Sequence, residues 1–287
     1  MASGNMKVIK RRIKSVGSTM QITKAMELVA SSKLRRAKKK ANDSKPFFNA
    51  QSLILSEIVQ TKHIETVFTR KREVDSAEAK RLFIVIAGDR GLAGGYNSNL
   101  FKLVVAAHEG QELPKIIAVG KKAAEFFGKR GYDVVSKYIG LAENVKNAYC
   151  ADIANTAVNL FKNGDVDEVT MFYTEFVSSM VQKATDMPVL PLEIKAHEPG
   201  KHIIPITYDP SPEAVFNRVV PTFIMSMVQC AVTESYASEQ CARRIAMESA
   251  SDNAEEMIDK LSLLYNRARQ EKITNEINEI VGGANAL

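Results

Sequence analysis

Residues 222–281, TFIMSMVQCAVTESYASEQCARRIAMESASDNAEEMIDKLSLLYNRARQEKITNEINEIV, form sixty consecutive positions without a glycine or a proline. The mean helix in globular proteins is about 11–12 residues long, so a tract of this length without a helix breaker predicts one long helix. At a rise of ~1.5 Å per residue the helix would extend roughly 90 Å. Such a helix is typical of a coiled coil.

The same tract carries the spacing of a coiled-coil seam. Apolar and small residues recur at alternating steps of four and three, at Ala250, Ala254, Met257, Leu261, Leu264 and Ala268. After a five-residue step the stripe resumes at Ile273, Ile277, Ile280 and Ala284. The pairs Glu239–Arg243 and Glu256–Lys260 are expected on the outer face of the helix, where opposite charges four residues apart attract.

The N-terminal segment has a matching stripe. Its apolar and small positions are Ile9, Ile13, Val16, Met20, Ile22, Met26, Val29, Ala30, Leu34 and Ala37. Gly17 is the only glycine or proline between Ile9 and Pro46, and the apolar pattern continues beyond Pro46. The first helix enters the central region and the last helix leaves it. We therefore predict that the two helices pack side by side in antiparallel directions.

The centre of the chain has a shorter period. Residues 81–87, 115–120, 132–135 and 168–174 are short β-rich runs separated by helical patterns. Strands that alternate with helices predict a mainly parallel sheet covered by helices, here a Rossmann-like α/β domain. Residues 181–194 are predicted to form an extra edge strand, because their prolines suit an edge. The predicted segments are an N-terminal coiled-coil helix (1–62), a linker (63–80), the α/β domain (81–206) and a C-terminal coiled-coil helix (207–287).

Composition excludes several classes of site. The three cysteines form no CxxC pair and the four histidines are scattered, so no metal or cofactor site is predicted. No apolar stretch approaches the ~18–20 residues of a membrane span. The N-terminus carries charges where a signal peptide would carry its apolar core, which predicts a cytoplasmic protein. Residues 1–45 hold thirteen Lys or Arg against two acidic residues, whereas residues 222–287 hold six against ten.

Two stretches keep alternative functions open. GDRGLAGGYN (88–97) lies between a strand and a helix, as a phosphate-binding loop would, but it lacks the lysine of a Walker motif and the GxGxxG spacing. KLRRAKKK (33–40) is basic enough for a nucleic-acid patch, but it contains no aromatic residue for base stacking. A nucleotide-dependent enzyme and a nucleic-acid-binding coiled coil therefore remain as alternatives to a scaffold or transmission element.

Three motifs together resemble the gamma subunit of F-type ATP synthases. They are IKRRIKSVGSTMQITKAMELVASSKLRRA near the N-terminus, the GDRGLAGGYNSNL turn, and ASEQCARRIAMESASDNAEEMI with LYNRARQEKITNEINEIVGG near the C-terminus. The resemblance covers essentially the whole chain. It departs from the family at Gly17 and Ser18, where larger or amide residues are usual, and at Ala93, where the family often has cysteine. The cysteine-bearing insertion of the chloroplast form is absent, which points to a bacterial origin without thiol regulation.

The resemblance implies a non-catalytic rotor shaft. It implies partners in the catalytic and non-catalytic ring subunits (beta and alpha), the epsilon subunit and the membrane rotor ring of c subunits, with delta only indirectly, and no nucleic acid. The chain would be peripheral, at the cytoplasmic face of the bacterial plasma membrane, without direct membrane insertion. By position, the residues facing the surrounding ring would be Lys24, Met26, Arg269, Gln270, Thr274 and Glu276. Those near epsilon and the rotor ring would be Tyr208, Asp209 and Glu213.

Overall fold

The computed structural model describes residues 2–61, 66–70, 78–193 and 207–284. Its internal contacts divide the chain into two compact units. Unit 1 consists of residues 1–31 and 243–287, and unit 2 consists of residues 32–242. The two long helices contribute to both units, and each unit is described by itself below.

The terminal segments form the two longest helices of the chain. Helix α1 is Ala2–Thr61 and helix α5 is Pro212–Ala284. Both continue past an internal proline, Pro46 in α1 and Pro221 in α5. Proline removes a backbone donor, but packing near it compensates, since Phe48 stacks on Phe223 with ring centroids 5.3 Å apart.

The two helices are antiparallel. Ser44 lies 3.8 Å from the thiol of Cys230, and four residues later on α1 Phe48 meets Phe223, earlier on α5. The predicted fold class, two long antiparallel helices with a mainly parallel α/β domain, is confirmed.

Within the described residues of unit 2, five strands form one sheet in the order β3-β2-β1-β4-β5. The strands are β1 Arg81–Ile86, β2 Lys115–Val119, β3 Val134–Tyr138, β4 Glu168–Phe176 and β5 Gln182–Leu190. The intervening helices are α2 Tyr96–Ala106, α3 Lys121–Gly128 and α4 Asn147–Asn163. The first four strands are parallel, and β5 pairs antiparallel with β4 at the sheet edge, where the sequence predicted an extra edge strand.

Alternate residues of the strands point to opposite faces of the sheet. Phe83 and Val85 of β1 pack against α2 and α3, while Leu82, Ile84 and Ile86 pack against α1, α4 and α5. Both faces are therefore covered, which explains why all six residues of β1 are buried. A strand buried on both faces is nearly all apolar, and the one charged residue of RLFIVI, Arg81, pairs with Glu168 at 3.1 Å.

Helix α5 contradicts the expectation that no apolar stretch of the chain approaches the length of a membrane span. By length and composition alone, it contains an 18-residue stretch apolar enough to cross a membrane. Half of that stretch is buried inside the protein, and Phe216, Val220 and Ile224 belong to the core of unit 2. The apolar character of the stretch therefore comes from its place in a core.

The seam of unit 1 differs in part from its predicted position. The buried residues of α5 there include Met247, Ser251, Ala254 and Leu261, whereas Met257 and Leu264 are 51% and 52% exposed. On α1 the buried residues are Thr23 and Ala30, whereas Ile22 and Val29 are exposed. The prediction counted only apolar side chains, but the hydroxyls of Thr23 and Ser251 lie 2.7 Å apart and share a hydrogen bond in the seam.

Candidate functional site

The carboxyl ends of β1 and β4 form the position where α/β proteins usually bind a ligand. After β1 the chain crosses to β2 on one side, and β4 later pairs with β1 on the other side. Such a reversal of strand order opens a crevice beyond the carboxyl ends of the two strands. The glycine-rich loop 88–95 leaves β1 at this place.

Asp89, which follows β1 in that loop, forms hydrogen bonds with residues that follow β2 and β3. Its carboxylate accepts hydrogen bonds from the backbone N–H of Lys121 at 2.9 Å and of Gly140 at 3.0 Å. Lys121 is the first residue of α3, so the carboxylate lies at a helix N-terminus, where an anion is stabilised. Asn97 in turn accepts a hydrogen bond from the N–H of Gly88 at 3.0 Å. These polar groups of the loop are thus bonded to the chain itself.

The crevice itself is filled by α5. The hydroxyl of Ser235 contacts three elements that surround it: Tyr96 Oη at 2.7 Å, the N–H of Thr174 at 3.3 Å and the carbonyl of Ile86 at 3.4 Å. Because Ser235 has one proton, donating it to Ile86 leaves the Tyr96 hydroxyl as the donor to Ser235. One serine of the long helix therefore joins the start of α2, the last residue of β1 and β4.

Glu239 lies one turn further along α5 against the glycine loop. A Cβ placed on Gly88 would lie 3.0 Å from both Cδ and Oε1 of Glu239, so a side chain at Gly88 would push against the carboxylate. Glu239 is 4% exposed, which corrects the expectation that it lies on the outer face of the helix. A carboxylate of the chain thus occupies the side of the loop that a bound phosphate would need.

Further contacts bind both long helices to the α/β domain in unit 2. Lys33 of α1 forms a salt bridge with Glu143 at 2.5 Å, and the ammonium of Lys38 lies 4.3 Å from the centroid of the Phe176 ring. The thiol of Cys241 on α5 donates to the carbonyl of Ser179 at 3.2 Å. We call this set of contacts, with those of Ser235 and Glu239, the collar.

Burial raises the pKa of three groups in unit 2 and so favours their uncharged forms. It raises the pKa of Glu234, while the Phe176 backbone and Lys45 oppose the shift. Burial, together with Glu234 and Glu175, raises the pKa of Tyr173 to about 12. Burial also raises the pKa of the Cys150 thiol to about 11, so this thiol is protonated and unreactive near neutral pH.

The residues predicted to face a surrounding ring are mostly exposed. Lys24 lies 4.0 Å from Glu255 with both side chains more than half exposed, and Met26 is half-buried. Arg269, Gln270, Thr274 and Glu276 are exposed on α5. Glu276 pairs with Lys272 at 3.2 Å. Their predicted contacts with other subunits stay predictions.

The second predicted set, Tyr208, Asp209 and Glu213, lies at the start of α5. Tyr208 packs against the core of unit 2, and burial followed by the charge of Glu57 raises its pKa. Asp209 is exposed, and Glu213 is an acidic residue in the first turn of the helix, where the helix dipole favours a negative charge.

Sequence reasoning missed the collar. Its signal was the polar set Ser235, Ser238, Glu239 and Gln240 directly after the apolar first part of the helix, which the heptad count ignored. The glycine loop was noticed, but its partner lies more than 130 residues away in the chain, and no local pattern connects the two. The pair Glu256–Lys260, by contrast, is exposed as predicted, at 3.4 Å.

Comparisons with known proteins give a consistent result. A family model described as ATP synthase matches residues 5–287. The ATP synthase gamma chain of Ruminococcus albus is 50% identical over 281 residues and covers 96% of both chains. The gamma chain of Alkaliphilus metalliredigens is 46% identical and covers 98% of both.

Solved structures share the fold. A chain of the Euglena gracilis mitochondrial ATP synthase, in a structure of OSCP, F1 and the c-ring, aligns with a TM-score of 0.70 at 18% identity. That alignment covers 99% of this chain and 95% of the other. A chain from the central stalk and c-ring of the Tetrahymena thermophila mitochondrial enzyme aligns with a TM-score of 0.60 at 22% identity, covering 80% of this chain and 99% of the other.

Proposed function

This chain belongs to the ATP synthase gamma chain family, and we propose from that premise how its parts work. It is the non-catalytic central rotor shaft of an F-type ATP synthase and couples rotation of the membrane ring to ATP synthesis or hydrolysis. The observation that carries this conclusion is 50% identity to a named gamma chain across 96% of both sequences. The collar gives the role a physical basis, because it holds a long helix in the place where an enzyme of this fold would bind a ligand.

The proposed partners follow from the complexes in which proteins of the same fold occur. Unit 1 lies inside the ring of catalytic beta and non-catalytic alpha subunits, and unit 2 contacts the epsilon subunit and the c subunits of the membrane ring. Delta is connected only indirectly. The complex is membrane-associated, and this chain lies peripherally at the cytoplasmic face of the bacterial plasma membrane. The solved structures that share this fold contain F1 or a c-ring, which supports the proposed partners.

Residues of unit 1 supply the contacts with the ring. Lys24 and Met26 face the moving catalytic subunits from α1, and Arg269, Gln270 and Thr274 face the ring from α5, with Glu276 near them. Their exposure supports this role, because exposed ionic and polar contacts contribute only ~0–1 kcal/mol each and can break in every turn. The basic residues of α1 guide the orientation of the shaft toward acidic partner segments.

Tyr208, Asp209 and Glu213 form the foot of the shaft in this proposal. Glu213 lies in the first turn of α5, Tyr208 and Asp209 come just before the helix, and the charge of Glu57 in the last part of α1 acts on Tyr208. The exposed carboxylates of this group would contact epsilon and the polar surface of the rotor ring.

The contact proposed for Arg269 gives a direct test. Among the described residues, no acidic side chain forms an ion pair with Arg269, so its guanidinium is available to a carboxylate or carbonyl of the ring. A charge-assisted hydrogen bond is roughly twice as strong as a neutral one and is selective in geometry. Arg269→Ala should lower ATP turnover by the reconstituted complex and leave the melting temperature of the isolated chain unchanged.

Arg244→Ala is a matched control, because Arg244 already pairs with Glu248 at 2.8 Å. Normal turnover with Arg269→Ala, or a loss of turnover that follows a loss of stability, contradicts the assigned contact. A complex that hydrolyses and pumps equally well without this chain contradicts the shaft function itself.

A further inference from the structure

A short segment of α5 buries several polar side chains against the sheet. Ser235 and Ser238 are fully buried, and Glu239 and Gln240 are each 4% exposed. We call residues 235–240 the polar turn. Among the described residues, the hydroxyls of Ser238 and of the neighbouring Thr174 have no hydrogen-bond partner. Buried polar groups cost stability relative to apolar ones of the same size, so hydrophobic packing does not account for the polar turn.

The polar turn differs from the rest of the helix in the kind of contact that it makes. Apolar contact is non-directional, so apolar side chains resist a roll of the helix only through the fit of their shapes. A hydrogen bond weakens steeply when its angle is lost. The Ser235 hydroxyl is bonded to α2, β1 and β4 together, so a roll of α5 breaks several bonds at once.

Contact between Glu239 and the glycine loop also restricts a roll of α5. Its carboxylate lies against the place where a Cβ on Gly88 would stand, and Gly88 is held by its hydrogen bond to Asn97. Ser235 and Glu239 are four residues apart and therefore lie on the same face of the helix. That face is the one turned toward the carboxyl ends of β1 and β4.

We propose that Ser235 and Tyr96 are positioning residues for rotary coupling, which fix the rotational setting of α5 on the α/β domain. This inference rests on the proposed function and adds to it the residues through which the domain turns the helix. With the setting fixed, rotation of the α/β domain turns α5. If α5 can turn about its own axis relative to the α/β domain, that movement takes up part of the rotation of the domain.

Two variants test the proposal in the reconstituted complex. Tyr96→Phe keeps the ring and removes one hydroxyl, and Ser235→Ala removes the central one. Each lost hydrogen bond should raise the population of wrong settings by about fivefold. We expect fewer ions pumped per ATP hydrolysed and lower torsional stiffness of single rotors, with normal assembly. Tyr149→Phe is the matched control, since Tyr149 is 46% exposed.

The outcomes are distinct. A lower pumping ratio and a softer rotor in Tyr96→Phe, with Tyr149→Phe unchanged, support the proposal. An unchanged ratio and stiffness overturn it, whether or not the melting temperature falls, because that result is what a merely structural role gives. If Ser235→Ala does not assemble, Tyr96→Phe alone decides. A parent complex that neither rotates nor pumps with this chain in place refutes the proposed function instead.

Discussion

Helix α5 has two different environments, one in each unit. In unit 2 it lies on a sheet, and its buried face combines large apolar residues such as Phe216 and Phe223 with the polar turn. In unit 1 its buried face is a narrow line that includes Met247, Ser251, Ala254 and Leu261, and Leu263 and Ile280 are each 71% exposed. A broad face with hydrogen bonds holds a helix in one setting. A narrow seam leaves most of the circumference available to partners.

The largest expected loss of stability comes from placing a charge in the seam of unit 1, compared with placing one on its exposed face. Leu261 is 9% exposed and Leu264 is 52% exposed. Leu261→Asp buries an unpaired charge and should destabilise unit 1 by about 3 kcal/mol or more, whereas Leu264→Asp should change stability by less than about 0.5 kcal/mol. Denaturant unfolding followed by helical circular dichroism measures both. Equal effects of the two substitutions would mean that the seam is placed wrongly.

Leu261 and Leu264 also show which features of the fold can be predicted from the sequence and which cannot. Sixty positions without glycine or proline are enough to predict α5, because helix breakers act locally. Assigning Leu264 to the seam failed, because a count of apolar residues passes over Ser251, which the seam buries and which shares a hydrogen bond with Thr23. The alternation of strands and helices predicted the sheet. The site at the ends of β1 and β4 could not be predicted, since it depends on where a distant helix packs.

In unit 2, the second prediction concerns Asp89. Asp89→Ala leaves the N–H groups of Lys121 and Gly140 without their acceptor, which should cost about 0.5–1.5 kcal/mol, because both bonds are exposed and water replaces the carboxylate. Asp165→Ala is the control, because Asp165 is exposed and its loss should be nearly neutral. Thermal unfolding of the full chain compares them. A stable Asp89→Ala variant would show that the loop is held by other contacts.

A smaller, pH-dependent effect is expected at Glu234. Burial raises the pKa of this carboxyl, so the folded chain binds the proton more tightly than the unfolded chain, whose pKa is ~4.3. Stability is therefore lost as the pH rises from ~4.3 through the folded pKa. Glu234→Gln should melt higher than the parent at about pH 7.5 and match it near about pH 4.

The control for Glu234 is Glu109→Gln, an exposed carboxyl of the same domain. Its loss should change the melting temperature little, because the side chain is exposed. If both substitutions shift the melting temperature equally at every pH, the effect comes from net charge and not from the burial of Glu234.

The smallest expected effect is that of an alanine at Gly17, and an alanine at Gly120 should have a larger effect of the opposite sign. A Cβ on Gly17 would meet no atom within 4 Å, and Gly17 lies within helix α1. Gly17→Ala should therefore stabilise unit 1 by about 0.5–1 kcal/mol. Gly120→Ala should act in the opposite direction, because Gly120 has a φ of +97° and a Cβ there would lie 2.1 Å from the carbonyl oxygen of Ala87. Differential scanning calorimetry of the two variants checks both signs.

If this chain is a shaft that its α/β domain holds and that turns inside a surrounding ring, the α/β domain must rotate while the complex hydrolyses ATP. Single-molecule rotation measures this movement, with the ring immobilised and a probe attached at Lys129→Cys, an exposed position of the α/β domain. We expect the probe to rotate in one direction when ATP is added, and to stop when ATP is removed. ATP turnover at the normal rate with a stationary probe would contradict the claim.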